Sequence, residues 1–314
     1  MSRAFIFPGQ GSQFIGMGKD LADAYPTARL TFEEVNDALN QNLTKIMWEG
    51  PDSDINLTEN TQPALMAVSM AIMNVLTKDA GLVLPNVAAF VAGHSLGEYS
   101  ALTAAGAFTL SDTARLLKLR GQSMQLAVPV GQGAMAAILG LDFDAVKAIA
   151  EQASVSEICE AANDNAPGQV VISGHKAAVE AAMALATERG AKRALVLPVS
   201  APFHCQLMAP AADKMREALA KTDIRPPVVP VVANVTATAV SAPDQIRDLL
   251  VEQITGRVRW RESVTWMKEQ GVTEMIEIGA GKVLAGLVKR IEADVTGSSV
   301  GTPAQIDELI AKLK

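Results

Sequence analysis

Residues 93–97 read Gly-His-Ser-Leu-Gly, preceded at 87–92 by Val-Ala-Ala-Phe-Val-Ala and followed at 96–107 by Leu-Gly-Glu-Tyr-Ser-Ala-Leu-Thr-Ala-Ala-Gly-Ala. The first flank is a short apolar run that suits a buried strand, and the second has the alanine-rich character of a packed helix. A strand meeting a helix at G-x-S-x-G is the nucleophile-elbow pattern. Gly93 and Gly97 lack side chains, so the turn can close sharply and neighbouring elements can approach. Ser95 is then held out on the turn, with the amides that open the helix pointing where an oxyanion can form. The pentapeptide alone matches often by chance, and a glycine-flanked serine is usually a plain turn. The strand–turn–helix context is what points to covalent acyl chemistry on Ser95.

Outward from the elbow, strand-like stretches recur at residues 4–7, 228–234 and 274–278. Helical patterns cover 63–78, 112–127, 243–254, 261–270, 282–293 and 303–313. Such alternation favours a largely parallel sheet covered by helices. The middle of the chain differs. Residues 134–141 suit a strand, 143–153 a helix, 156–162 an extended stretch and 163–168 a turn. A second extended stretch follows at 170–173, then a helix at 177–189 and a strand at 193–199. That is the β-α-β-β-α-β order of a ferredoxin-like unit. The expected fold is α/β, with a mostly parallel sheet in a large domain made of residues 1–129 and 199–314. A ferredoxin-like subdomain is expected at 130–198, hinged at Gly131, Gly133 and Pro198, and a ligand is expected in the cleft between the two bodies.

The 314 residues are 49% hydrophobic but only 4% aromatic, so the core must be built mainly from Ala, Val, Leu, Ile and Met. A net charge of −7 argues against nucleic-acid or anionic-membrane partners. Cys159 and Cys205 match no C-x-x-C spacing, which suggests no disulfide framework and a reducing compartment. The N-terminus opens on the strand-like Ala4-Phe5-Ile6-Phe7 without a basic or apolar leader, and no apolar run is long enough to span a bilayer. The expectation is a soluble cytoplasmic protein.

A serine hydroxyl needs a base to take its proton. The chain has three histidines. His94 adjoins the serine on a tight elbow, where neighbours point apart, so it is read as supporting the turn. His175 opens a helix and is read as a surface residue. His204 lies in Ala201-Pro202-Phe203-His204, a loop after the strand that ends near Ser200, where α/β folds place catalytic groups. His204 is therefore the candidate base, and Cys205 beside it is read as a small packed residue. The third member of a triad stays open. Asp142, Asp144 and Asp164 all fall in the smaller unit, and a backbone carbonyl can fix an imidazole tautomer equally well.

On the helix at 112–127, steps of three and four connect Leu116, Leu117, Arg120, Met124 and Ala127. An arginine centred on that apolar stripe costs several kcal/mol unless an anion pairs with it. One reading is a snorkelling stem or an internal salt bridge. The other is a bidentate clamp for a substrate carboxylate. After the first strand, Phe7-Pro8-Gly9-Gln10-Gly11-Ser12-Gln13 fails as a phosphate loop, because Gln13 stands where a glycine is needed. It remains a glycine-rich turn whose Gln10 amide could join that of Leu96 as a second oxyanion donor. The sequence shows neither a metal-ligand cluster nor a nucleotide-redox fingerprint.

Taken together, FPGQGSQ (7–13), TQPA (61–64), GHSLGEYSAL (93–102), Arg120-Gly121, ANDN (162–165), PFHC (202–205), VRW (258–260) and EIGAGKVLAGL (277–287) resemble the malonyl-CoA:acyl carrier protein transacylases. These pieces span nearly the whole chain in order. The resemblance implies a hydrolase-like core with an inserted ferredoxin-like subdomain. It implies Ser95 as the acylated nucleophile, His204 as its base, the Gln10 and Leu96 amides as oxyanion hole and Arg120 as holder of the malonyl carboxylate. Met124, Phe203 and Asn163 would line the substrate site, and Gln253 would orient the histidine through its main-chain carbonyl. Ala280 departs from the proline of many relatives. Phe203 stands where several free-standing relatives carry a small residue, and in modular synthases an aromatic there goes with malonyl over methylmalonyl units.

The activity so implied is a ping-pong transfer from malonyl-CoA to the phosphopantetheine thiol of acyl carrier protein in fatty acid synthesis, by a monomer without a cofactor. Two rivals share parts of the pattern: a serine hydrolase acting on thioesters or esters, and a non-enzymatic module that binds carrier protein. Because carrier proteins are acidic, docking would call on basic residues, with Lys192, Arg193, Arg257, Arg259, Arg261 and Lys282 as candidates.

Overall fold

The computed structural model describes residues 2–199 and 201–314. The expected strand end at Ser200 lies outside them. The strands are β1 (Ser2–Phe7), β2 (Phe90–Gly93), β3 (Gly133–Leu139), β4 (Cys159–Ala166), β5 (Gln169–His175), β6 (Arg193–Val196), β7 (Val231–Val232), β8 (Ala239–Val240), β9 (Val272–Ile278) and β10 (Thr296–Val300). Six form one sheet in the order β10-β9-β1-β2-β7-β8, parallel throughout except for the β7–β8 pair. The other four form an antiparallel sheet in the order β4-β5-β3-β6. The fold is α/β, with a hydrolase-like parallel sheet and a ferredoxin-like β-α-β-β-α-β unit.

Alternation along each strand distributes the core. Phe5 and Phe7 of β1 join Val91, Ile276 and Ile278 under the helices Thr58–Asn74, Leu96–Ala104 and Leu110–Leu126. Ala4 and Ile6 point the other way, joining Ala92, Met275 and the buried Trp260. In the small sheet, Ala136, Ile138, Val170 and Ile172 pack against the helices Phe143–Ala153 and Lys176–Glu188. Met135 and Val171, on the opposite face, belong to the large core. The small sheet therefore presents an apolar face to the large body, and that face borders the site.

Several boundaries differ from expectation. The stretch at 163–168 is not a turn, because β4 runs to Ala166 and only Pro167 and Gly168 lie between it and β5. Tertiary contacts override the turn preference of Asn-Asp-Asn. Val258 donates to the Ala162 carbonyl and the Asp164 amide donates back to Val258, both at 2.9 Å, while Arg261 grips the buried Asp164 carboxylate at 2.8 Å. The strand expected at 87–92 is β2, which starts at Phe90; Leu84–Val87 is a helical turn led by Pro85. The strand at 228–234 shrinks to Val231–Val232. The helix expected to begin at Pro63 begins at Thr58, with Pro63 inside it. Proline there removes one ladder bond, and the Thr61 hydroxyl ties the same turn to the Ile55 carbonyl at 2.6 Å.

Candidate active site

At the C-terminal end of β2 the chain turns through Ser95, whose φ of 53° and ψ of −110° are strained for a residue with a side chain. Neither flanking glycine carries that strain; they provide room. A Cβ on Gly93 would sit 1.9 Å from the Gly97 carbonyl oxygen, and one on Gly97 would sit 2.3 Å from that of Phe7. Four non-glycine residues have positive φ among the described residues, and two are Ser95 and His204, the latter at 58°. Each such conformation costs about 1–3 kcal/mol and persists only where surroundings over-determine it. For Ser95 the surroundings are clear. Its amide donates to Asn234 Oδ1 at 2.7 Å, Asn234 Nδ2 donates to the Gly93 carbonyl at 2.7 Å, and Gln253 Nε2 donates to the Ser95 carbonyl at 3.0 Å.

Ser95 Oγ lies 2.8 Å from His204 Nε2. On the far side of the ring, Nδ1 faces two carbonyl oxygens, Gln253 at 2.9 Å and Gly256 at 3.2 Å. Carbonyls only accept, so Nδ1 carries the proton and Nε2 presents its lone pair to the hydroxyl. A main-chain carbonyl thus occupies the position a triad acid would take. Burial pushes the His204 pKa down to about 3, with the Arg120 charge as the next cause. The imidazole is therefore neutral, with its Nε2 lone pair open to the Ser95 hydroxyl.

Arg120 is 1% exposed on the helix Leu110–Leu126. Nη1 donates to Gln62 Oε1 at 2.8 Å, while Nη2 donates to Gln253 Oε1 at 2.9 Å and to Ser95 Oγ at 3.0 Å. Nε is buried without a partner. Among the described residues no carboxylate makes an ion pair with it, so the snorkelling and internal-salt-bridge readings both fail here. Gly121 lets the helix sit against the backbone of Glu59, where a Cβ would meet Cα at 2.5 Å.

Gln10, Ser95, Leu96, Arg120, Met124, Asn163, Phe203 and His204 all line one cavity of about 350 Å³. Gln253 stands behind it. Leu96 opens the helix after the elbow, and Gln10 is held by a 3.3 Å bond from its Nε2 to Thr58 Oγ1. Met124 and Gln62 touch through a 3.8 Å amide–sulfur contact. Asn163 reaches the cavity because β4 continues through it. His94 lines the same cavity but bonds Asn165 at 2.9 Å and lies against Trp260. His175 ends β5 and accepts from the Ile158 amide at 3.0 Å. Cys205 is buried and donates to the Pro202 carbonyl, and burial pushes its thiol up to about 11.

Three residues with a part in this geometry escaped the sequence reading. Gln62 bonds Arg120, Asn234 splints the elbow, and Glu98 accepts from the Asn234 amide at 2.9 Å and from Gln253 Nε2 at 2.8 Å. Burial pushes the Glu98 pKa up to about 7 against the pull of those donors and of Arg120. The available signal for Glu98 is a carboxylate in a helix that is buried from Leu96 to Leu102.

The acyl transferase domain family matches residues 4–305. The malonyl CoA-acyl carrier protein transacylase of Escherichia coli strain K12 is 48% identical over 301 residues, covering 96% of each chain. The acyl-carrier-protein-S-malonyltransferase of Bartonella henselae superposes with a TM-score of 0.97 at 53% identity, covering 100% of this chain and 99% of that one. A malonyl-transacylase solved in complex with its type II PKS acyl-carrier protein superposes with a TM-score of 0.96 at 43% identity, covering 99% of this chain and 100% of that one. Elbow, partnered imidazole and buried arginine thus occur on a chain that belongs to the acyl transferase family, among the malonyl CoA-acyl carrier protein transacylases.

Proposed function

We propose that this chain moves a malonyl group from malonyl-CoA to the phosphopantetheine thiol of an acyl carrier protein through a malonyl ester of Ser95. The observation that carries this reading is a buried guanidinium with no carboxylate in direct contact among the described residues, hydrogen-bonded to Ser95 Oγ. A malonyl group has a single methylene between its carboxylate and its thioester carbonyl. A carboxylate on Arg120 therefore brings the carbonyl carbon to Ser95 Oγ.

His204 Nε2 takes the Ser95 proton as Oγ attacks the carbonyl. The oxyanion forms against the amides of Gln10 and Leu96. Collapse breaks the carbon–sulfur bond, and the CoA thiolate recovers the proton from His204. In the second half the pantetheine thiol gives its proton to His204 and attacks the ester, and Ser95 Oγ leaves with that proton. Gln253 holds the imidazole through its carbonyl, Met124 and Asn163 line the site, and Phe203 fills the space an α-methyl group would need. Side chains and amides supply every step, so the reaction needs no cofactor.

Residues 1–129 and 199–314 form the catalytic body and 130–198 the smaller one in this reading, with the pantetheine arm entering between them. The site is lined from both sides, Ser95 and Arg120 facing Asn163, Val171 and Leu197. The protein acts as a monomer in the cytoplasm; no helix among the described residues is long and apolar enough to cross a membrane. Carrier docking falls to the exposed Lys192, Arg193 and Lys282, since Arg257 and Arg259 pair with Glu262, and Arg261 with Asp164.

Elbow and imidazole would serve a hydrolase equally well, so the test is the acceptor. CoA release from malonyl-CoA should accelerate strongly when carrier protein bearing its phosphopantetheine arm is added, with malonyl recovered on that arm. Release at the same rate without it, with free malonate as product, would make the chain a hydrolase.

A further inference from the structure

Arg120 is a buried cation whose nearest counter-charge stands one residue away. Nη2 donates to Gln253 Oε1 at 2.9 Å, and Gln253 Nε2 donates to Glu98 Oε2 at 2.8 Å. Glu98 is 2% exposed and also accepts from the Asn234 amide at 2.9 Å. The Gln253 amide has one favourable orientation in this setting. Flipped, its NH₂ would face the guanidinium, and its carbonyl would face both the Glu98 carboxylate and the Ser95 carbonyl. Glu98 Oε2 accepts from both the Gln253 and the Asn234 amides, so together with the Ser95 carbonyl and the guanidinium it fixes which way the Gln253 amide points.

The arrangement resolves a conflict. A carboxylate in direct contact would occupy the guanidinium fork and compete with the acyl group. No carboxylate at all would leave a lone buried charge at its full desolvation cost. A single neutral amide between them supplies attraction while leaving the guanidinium to accept an incoming carboxylate.

We propose that Glu98 is a positioning residue for acyl-group selection: through Gln253 it offsets and aims Arg120, so that the guanidinium receives the carboxylate of the acyl group beside Ser95. This rests on the transacylase reading. Glu98 touches no reacting atom, and its effect should appear as discrimination between carboxylated and plain acyl groups rather than as loss of turnover in general.

The experiment compares kcat and KM for malonyl-CoA and acetyl-CoA in the full-length chain. In Glu98→Gln, which keeps the shape and removes the charge, the malonyl-over-acetyl ratio of kcat/KM should fall about tenfold, the weight of one hydrogen bond to a charged group, with the loss carried by KM for malonyl-CoA. Gln253→Glu moves the carboxylate into contact with Arg120 and should lower the ratio further. The double variant Glu98→Gln with Gln253→Glu conserves net charge yet should leave the preference lost. If Glu98→Gln fails to fold, Gln253→Ala cuts the same relay and should lower the ratio in the same direction. An unchanged ratio, or equal losses for both substrates, overturns the proposal. A wild-type chain with no malonyl preference would instead overturn the transacylase reading, and that arm is read before any variant.

Discussion

Arg120 Nη2 donates to Ser95 Oγ at 3.0 Å, so the buried guanidinium and the elbow hydroxyl are in direct contact. The same hydroxyl faces His204 Nε2 at 2.8 Å, which leaves Oγ accepting from the cation and donating to the base. On the proposed assignment, an incoming carboxylate would take over the guanidinium and free the oxygen lone pair for attack. That assignment couples substrate selection and release of the Ser95 hydroxyl in one side chain.

Replacing Arg120 with Ala removes the charge partner and should lower kcat/KM for malonyl-CoA by at least about thirtyfold, the low end of the roughly 2–5 kcal/mol lost on breaking a buried charge pair. Acetyl-CoA offers no carboxylate and should lose far less. Parallel initial-rate measurements check this. A preserved malonyl preference would refute the clamp.

The His204 pKa sits near 3 because of burial and then the Arg120 charge. Malonate bound at Arg120 cancels the second cause, so the pKa should rise on binding. Titration of the imidazole ring by NMR with and without saturating malonate reads this directly. A fall, or no change, would place the anion elsewhere.

The same shift makes a stability prediction. An unfolded imidazole takes its proton near pH 6.5, while folded His204 resists down to about 3. The unfolded state thus binds more protons in that window, and stability drops as pH falls through it. His204→Gln should show a smaller loss of Tm between pH 7 and pH 4.5 than the wild-type chain. An equal loss would mean the ring is solvated.

At the elbow, Gly93→Ala and Gly97→Ala bring a Cβ within 1.9 and 2.3 Å of backbone oxygens that cannot yield. Each should cost several kcal/mol or prevent folding. Gly286→Ala, in the helix Val283–Ile291 with open space around it, should instead stabilise by about 0.5–1 kcal/mol. Thermal denaturation of the three variants separates steric need from composition.

What the sequence made legible depended on locality. The elbow, the helical stripe around Arg120 and the β-α-β-β-α-β order are short-range patterns, and they place Ser95, the buried cation and the small sheet. β10 was missed because Thr-Gly-Ser-Ser-Val carries little strand preference; it is a strand by pairing with β9. The turn expected at 163–168 was wrong because Val258 and Arg261, nearly a hundred residues away, hold β4 extended. The partners of Asn234 and Glu98 are illegible for the same reason, although Glu98 itself stands in a quoted motif. Their bonds to Ser95 and Gln253 cross 139 and 155 residues, and no local periodicity encodes them.

The covalent step is tested most directly by intact mass after brief mixing with malonyl-CoA and no acceptor. The wild-type chain should gain one malonyl unit, mapped to Ser95 by peptide analysis, and lose it on adding carrier protein with its pantetheine arm. Ser95→Ala should gain none. A wild-type chain that stays unlabelled while still passing malonyl to the carrier would contradict the malonyl-serine intermediate.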